Sequence, residues 1–262
     1  MVETVSRGTD TIALHVHAGS ADDAPLAVLW PAMGVPARYY RRFAEDLNAA
    51  GLDVVVADLR GTGESRPAPS ARSRYGLREL TDDVGAVIDR YKGRRIVLMG
   101  HSLGGQACAL HLGRHPDADV QGLVLLAVGL PYWRSYPGGQ RTKVLVQTQT
   151  LNVVGSALRV WPGWGFGGRQ ARGVIRDWAY TARTGRYPEE LERGLARVTT
   201  PILAVDMAGD QYTPPGTVSK LLAKMPLAPV TREDYDPGEP IDHFRWAKHG
   251  SALAKRVRDW AS

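Results

Sequence analysis

At 262 residues the chain can bury a large core, and one α/β domain with an insertion suits it as well as two small domains. Its 44% apolar and 23% charged residues are ordinary globular composition, and no apolar run reaches the roughly 18 residues of a membrane-spanning helix. The net charge of +6 is Arg-heavy and spread along the chain, without a Lys/Arg block or interleaved aromatics, so it reads as a solvated surface and not as a nucleic-acid or membrane footprint.

The opening residues, Met1 to Arg7, lack a basic start followed by an apolar stretch, so no secretory signal is expected and the cytoplasm is the default compartment. The lone Cys108 excludes an internal disulfide and offers no cysteine cluster for a metal; no cofactor is expected. Thr11 to His17 alternates polar and apolar residues, as a half-exposed antiparallel strand does, with His15 and His17 as surface residues on its polar face. Leu26 to Trp30 is continuously apolar, the signature of a strand covered on both faces, and ends in a Pro- and Gly-rich loop, Pro31-Ala32-Met33-Gly34-Val35-Pro36. Arg38 to Ala50 reads as an amphipathic helix closed by Gly51.

Val54 to Ala57 is the next buried strand, followed by Gly61-Thr62-Gly63-Glu64-Ser65. This turn is no phosphate loop: neither a third Gly nor Gly-Lys-Ser/Thr follows, and Pro67 and Pro69 keep a helix from starting there. Leu77 to Tyr91 places Leu80, Val84, Val87 and Ile88 on one helical face. Strand alternation then gives Ile96 to Met99 and Val120 to Val128. Residues 129–199 break the βα pattern with four tryptophans, a Gly-rich kink over Trp161 to Gly168 and many arginines, so they read as an inserted, mostly helical lid on a core made of residues 1–128 and 200–262. Alternation resumes with a strand at Pro201 to Asp206, a helix at Gly216 to Met225, a short strand near Ala228 to Glu233, and a C-terminal helix opened by His243.

The chemistry centres on Gly100-His101-Ser102-Leu103-Gly104, between an apolar strand and an Ala/Leu-rich helix. Glycines on either side remove Cβ atoms where strand and helix nearly touch, so Ser102 can stand at the apex of a strained turn beside the positive end of a helix. A serine hydroxyl needs a base to take its proton, and that base, an imidazole, needs a carboxylate to fix its tautomer. Groups at the carboxyl ends of parallel strands meet at one sheet edge. Asp210, in a loop shaped by Gly209 and Pro214, is the carboxylate so placed, with Asp206 as competitor inside the preceding strand. His243 follows the last strand through a loop, whereas His249 lies further into the helix and His111 and His115 point away from the elbow. Asp242 adjoins His243 too closely to orient it and reads as a helix N-cap.

Ser102, Asp210 and His243, in that order around a Gly-x-Ser-x-Gly elbow, resemble the α/β-hydrolase fold family, and the likeness covers nearly the whole chain, including the Gly61 to Ser65 turn. The resemblance implies a mostly parallel eight-stranded sheet flanked by helices, with the lid between the sixth and seventh strands. It also implies two oxyanion donors, the backbone N–H groups of Met33 and Leu103. The family's first oxyanion loop is usually His-Gly and then an apolar residue, so Pro31-Ala32-Met33 is a departure, tempered by the fact that main-chain donors do not depend on side-chain identity. The closest likeness is to bacterial hydrolases of unassigned substrate.

The function so implied is a serine hydrolase acting on a carboxylic ester or related small acyl compound. Thioester cleavage, acyl transfer and C–C hydrolysis use the same triad, and a non-catalytic ligand-binding protein on the same fold is the alternative of another class. An Asp in place of Ser102 would have indicated a dehalogenase or epoxide hydrolase. The aromatic content of the lid suggests a mainly apolar pocket, with His101, Trp133, Trp161 and Trp164 as candidate walls. The sequence carries no signal of oligomeric state.

Overall fold

The computed structural model describes residues 1–17, 19 and 24–262. In chain order the strands and helices are β1 (Val2–Arg7), β2 (Asp10–His17), β3 (Leu26–Trp30), α1 (Arg41–Ala49), β4 (Asp53–Ala57), α2 (Leu77–Arg90), β5 (Ile96–His101), α3 (Leu103–Arg114) and β6 (Gly122–Leu126). There follow α4 (Gln140–Ala157), β7 (Val160–Trp161), β8 (Gln170–Ala171), α5 (Arg172–Thr184), α6 (Glu189–Glu192), β9 (Ile202–Met207), α7 (Pro215–Leu222), β10 (Val230–Tyr235) and α8 (Ser251–Trp260). Eight strands form one sheet in the order β1-β2-β4-β3-β5-β6-β9-β10, and β7 and β8 make a separate two-residue hairpin. β1 pairs antiparallel with β2 and β2 antiparallel with β4; every other pairing in the large sheet is parallel.

Period-two alternation divides the central strands between two cores. Val28 and Trp30 of β3, Val55 of β4 and Leu98 of β5 pack with Leu80, Val84 and Val87 of α2 and with Leu110 of α3. Their neighbours Leu29, Val56, Val97 and Met99 face the other way, onto Phe43 and Leu47 of α1 and Leu253 and Val257 of α8. Both faces are covered, which is why these strands read as unbroken apolar runs. Edge strand β10 alternates exposed and half-buried residues, as one-sided strands do.

The structure moves several boundaries. β1 has no counterpart in the sequence reading, because its alternation of exposed and half-buried residues is mostly polar. The helix expected over 38–50 begins as a single 3-10 turn at Ala37–Tyr40 before α1. The C-terminal helix starts at Ser251; His243 lies in the loop before a 3-10 turn at Arg245–Lys248, and His249 ends that turn instead of lying inside a helix. Asp242 does act as a cap, accepting from the N–H groups of Phe244 at 2.8 Å and Arg245 at 2.7 Å.

Residues 129–199 leave the sheet after β6 and return at β9, carrying α4, α5, α6 and the small hairpin. Their docking on the start of α2 rests on close backbone approach: a Cβ on Gly173 would lie 2.4 Å from the Tyr75 carbonyl oxygen. Asp177 of α5 accepts a 3.0 Å hydrogen bond from the Leu77 N–H, so a carboxylate from one element caps the N-terminus of α2 in another.

Candidate active site

Parallel strands β3, β5, β6 and β9 deliver their carboxyl ends to one edge, and the loops leaving that edge carry the residues singled out above. Ser102 is the residue between β5 and α3, with φ 51° and ψ −118°. That conformation costs a non-glycine residue of order 1–3 kcal/mol and persists only where the surroundings impose it. They do so here: a Cβ on Gly100 would fall 2.3 Å from the Gly105 Cα, and one on Gly104 2.3 Å from the Trp30 carbonyl oxygen. The Ser102 N–H donates to the Leu126 carbonyl at 3.2 Å, and its own carbonyl accepts from the Gln106 N–H at 3.1 Å. The serine is thereby tied to β6 and to the first turn of α3.

Asp210 lies in the loop after β9 and His243 in the loop after β10, and His243 Nδ1 is 2.8 Å from Asp210 Oδ2. Both side chains are nearly sealed from solvent, at 4% and 2% exposure. Asp210 Oδ2 also accepts from the Thr213 hydroxyl, and Oδ1 accepts from the N–H groups of Tyr212 at 2.7 Å and Thr213 at 3.1 Å. Burial pushes the Asp210 pKa up, but the hydrogen bond and charge of His243, with the Thr213 donors, outweigh it and hold the carboxyl below its usual range. Asp206, the competitor, is turned elsewhere. Its Oδ2 takes two bonds from Arg232, at 3.1 and 2.5 Å, across the β9–β10 pair. Position inside the strand, facing a cross-strand arginine, is the physical reason.

Ser102 and His243 line one cavity of about 200 Å³, together with Met33 and Leu103. Among the described residues, the backbone N–H groups of Met33 and Leu103 donate to no other group of the chain. An unpaired pair of N–H groups beside a serine hydroxyl is what an oxyanion requires. A wider depression of about 510 Å³ lies at the far end of α3, beside the stacked rings of His111 and His115, and shares no residue with this cavity.

The loop Pro31 to Pro36 is held from both ends. Asp58, fully buried after β4, accepts from the Ala37 N–H at 2.6 Å and from the Glu64 N–H at 2.8 Å. Gly63 is required for that turn, since a Cβ there would lie 2.1 Å from Asp58 Oδ1. The Glu64 N–H of that turn is therefore used internally. His15 joins this cluster, with Nε2 3.2 Å from Asp58 Oδ2, and is not the plain surface residue expected. At the other end the Tyr40 hydroxyl accepts from the Ala32 N–H at 3.0 Å and bonds His101 Nδ1 at 2.6 Å. One buried hydroxyl thus connects the residue before Met33 to the residue before Ser102. Burial first, and then the nearby His243 charge, press the His101 pKa well down, so its ring is neutral and Nδ1 accepts from Tyr40.

Four expected wall residues are corrected. His101 is buried and absent from the cavity lining, because it continues the Val97-Met99 parity toward α1 and α8 and packs against Trp246 with ring centroids 5.3 Å apart. Trp161 is buried in the small hairpin, its Nε1–H donating to the Phe166 carbonyl at 2.8 Å. Trp164 is 66% exposed on the Gly-rich loop, and Trp133 sits under the Arg134 guanidinium at 4.9 Å. The aromatic walls are instead Tyr136, Phe166, Trp178, Tyr212 and Phe244. Tyr212 and Phe244 were findable, since Phe244 adjoins His243 and Tyr212 lies two residues after Asp210.

The sheet order, the elbow and a sequence model agree. A family model described as alpha/beta hydrolase fold matches residues 30–148. The chain has the alpha/beta hydrolase fold. A curated relative, the AB hydrolase superfamily protein YisY of Bacillus subtilis (strain 168), is 35% identical over 94 residues, which is 36% of this chain and 34% of that protein. The chain thus spans about a third of that relative's length. Rhodomycin D methylesterase DauP of Streptomyces sp. (strain C5) is 28% identical over 249 residues, covering 81% of this chain and 84% of its own. Among solved structures, Est1E of Butyrivibrio proteoclasticus with ferulic acid bound superposes with a TM-score of 0.68 at 16% identity, over 98% of this chain and 97% of that one. No helix among the described residues is long and apolar enough to cross a membrane.

Proposed function

We propose that this alpha/beta hydrolase-fold chain is a serine hydrolase that cleaves a carboxylic ester or related acyl compound through an acyl-enzyme. The observation that carries the reading is the convergence on one small cavity of Ser102, His243 backed by a buried Asp210, and two unpaired backbone N–H groups. Ser102 Oγ attacks the acyl carbon while His243 Nε2 takes its proton; Asp210 holds the ring tautomer and the charge that develops. The carbonyl oxygen becomes an oxyanion facing the N–H groups of Met33 and Leu103, each such donor contributing about 3–4 kcal/mol in the transition state. His243 returns the proton to the leaving oxygen, which departs as an alcohol. A water then gives its proton to His243, attacks the acyl-enzyme and releases the acid with Ser102 restored.

Residues 129–199 act in this account as a lid. They supply Tyr136, Phe166 and Trp178 to the cavity, and their Gly-rich loop meets the oxyanion loop, where a Cβ on Gly34 would lie 2.1 Å from the Gly167 carbonyl oxygen. DauP, described as a methylesterase, is the long-coverage relative that favours ester chemistry. The test is turnover of short p-nitrophenyl esters by Ser102→Ala. We expect a loss of at least about 10⁴-fold in kcat with the melting temperature unchanged or raised, the strained φ being relieved little by alanine. Turnover equal to the wild type would remove Ser102 from the chemistry.

A further inference from the structure

Behind the Ser102 cavity lies a second chamber of about 220 Å³, between α4 and the loop after β9. The two share four residues, Tyr136, Phe166, Trp178 and Tyr212, so they are adjoining compartments with an aromatic partition. The partition is a stack: Phe166 lies against Trp178 at 5.3 Å and 25°, and against Tyr212 at 6.0 Å and 30°. The inner compartment is faced mainly by apolar and aromatic groups, with Ser102, His243, Gln106 and Thr213. The outer one is faced by Gln140, Lys143 and Gln147 of α4 and by Gln211. No carboxylate lines either compartment, and Lys143 is the one charged side chain in the outer lining.

The charge of the surrounding segment points the same way. Residues 129–187 contain nine lysines and arginines against one acid, Asp177. That stretch alone exceeds the chain's total of +6, which leaves the remainder slightly acidic. Asp177 is committed to the Leu77 N–H and to Arg176. Among the described residues the other eight cations of the stretch lie within ion-pair distance of no carboxylate, whereas elsewhere arginines such as Arg60, Arg94, Arg232 and Arg256 are each paired with one. A general solvated surface would mix the two signs. Here the positive sign dominates the segment, and Lys143 carries it into the outer chamber, where a cation raises the local concentration and the encounter rate of anions. The first turn of α4 has no acidic residue and no side-chain cap, so the positive helix end adds to Lys143 and is not offset.

We propose that the substrate is an acyl compound that carries an anionic group, a carboxylate or a phosphate, at the end remote from the scissile bond, and that the outer chamber receives this group at Lys143. The inference rests on the ester-cleaving reading of Ser102. In it the scissile carbonyl occupies the inner compartment, the connecting portion passes the Trp178–Phe166–Tyr212 stack, and the amides of Gln140, Gln147 and Gln211 donate to the anion alongside the ammonium.

The test uses three p-nitrophenyl esters of one chain length: octanedioic acid with its second carboxylate free, the same compound methyl-capped, and a counterpart ending in phosphate. The wild type should favour the anionic esters over the capped one by about tenfold or more in kcat/KM, mainly through KM. The preference should shrink several-fold in about 0.5 M salt, where the screening length is only a few Å. Lys143→Met should bring it close to one, Lys143→Arg should keep it, and the distant control Lys255→Met should leave it unchanged. The carboxylate and phosphate arms tell which anion is meant. Equal rates for charged and capped esters in the wild type, or a preference that survives both Lys143→Met and high salt, would overturn the proposal while leaving ester cleavage intact. Failure to cleave any of the three would instead count against the ester reading. Calorimetric titration of Ser102→Ala with monomethyl and dimethyl octanedioate then decides the chamber on its own. Charge-selective binding lost on adding Lys143→Met upholds it, and binding without charge selectivity ends it.

Discussion

At the carboxyl edge of the sheet Asp210, His243 and the backbone around Ser102 are held by partners of the chain, with the N–H groups of Met33 and Leu103 left open, whereas in residues 129–187 eight of the nine cations lie within ion-pair distance of no carboxylate among the described residues. Ser102 is pinned by the glycine contacts around it, Asp210 accepts four bonds, and the Tyr40 hydroxyl ties the loop before Met33 to His101. The overlying segment offers Lys143, Gln140 and Gln147 to a cavity, and its arginines other than Arg176 lie within ion-pair distance of no carboxylate among the described residues. The difference separates two tasks. Groups that take part in bond making must be held before the substrate arrives, while groups that recognise a charge gain from being free to meet it.

The largest expected contrast is between two aspartates four residues apart. Asp210→Asn removes the charge that holds the His243 tautomer and should lower kcat by about 10³–10⁴-fold. Asp206→Asn should change kcat by less than about threefold but lower stability by about 1–3 kcal/mol, because it leaves Arg232 short of its partner. Steady-state kinetics and urea melts on both variants check this; similar kinetic losses would mean that the carboxylate assignments do not separate.

Tyr40→Phe comes next. It keeps the ring and deletes one hydroxyl, leaving the Ala32 N–H and His101 Nδ1 unpaired in a buried site, at a cost of about 1–3 kcal/mol. Because Ala32 precedes Met33, we expect kcat to fall about tenfold with KM little changed, as for a loss of oxyanion geometry. A KM effect alone would place Tyr40 in substrate binding instead.

Much of the clamped region is legible in the sequence and much of the other is not, for physical reasons. The central strands read as apolar runs because both faces are covered, and the places of Ser102, Asp210 and His243 follow from where parallel strands end. The parity of β5 would also have placed His101: it shares a face with Val97 and Met99, away from the cavity. In the overlying segment, composition reveals that aromatics are present but not which way they turn. Trp161 is spent on a two-residue hairpin and Trp164 on solvent, while Trp178 reaches the cavity from α5, whose buried residues include Val174, Ile175 and Ala179. The charge, read from the sequence as spread along the chain, is in fact concentrated over residues 129–187. Its meaning came only when the fold placed that stretch over the Ser102 cavity.

A smaller effect concerns pH. Burial, followed by the neighbouring His115 charge, lowers the His111 pKa from 6.5 to about 4. The unfolded chain takes up this proton first, so the contribution of a neutral His111 is full above pH 6.5 and is lost as pH falls toward 4. His101 has the same sign. Between those pH values the melting temperature of the wild type should therefore fall more steeply than that of His111→Gln, and parallel curves would contradict the assignment. The smallest effect is expected at Trp164→Ala, which removes an exposed ring outside the cavity and should alter kcat/KM by no more than about twofold.

The most direct measurement of the central claim is covalent labelling with a fluorophosphonate followed by intact-mass and peptide mapping. One adduct per chain is expected, located on Ser102, absent in Ser102→Ala and greatly slowed in His243→Ala. A wild-type chain that takes up no label, or one whose label persists after Ser102→Ala, would contradict it.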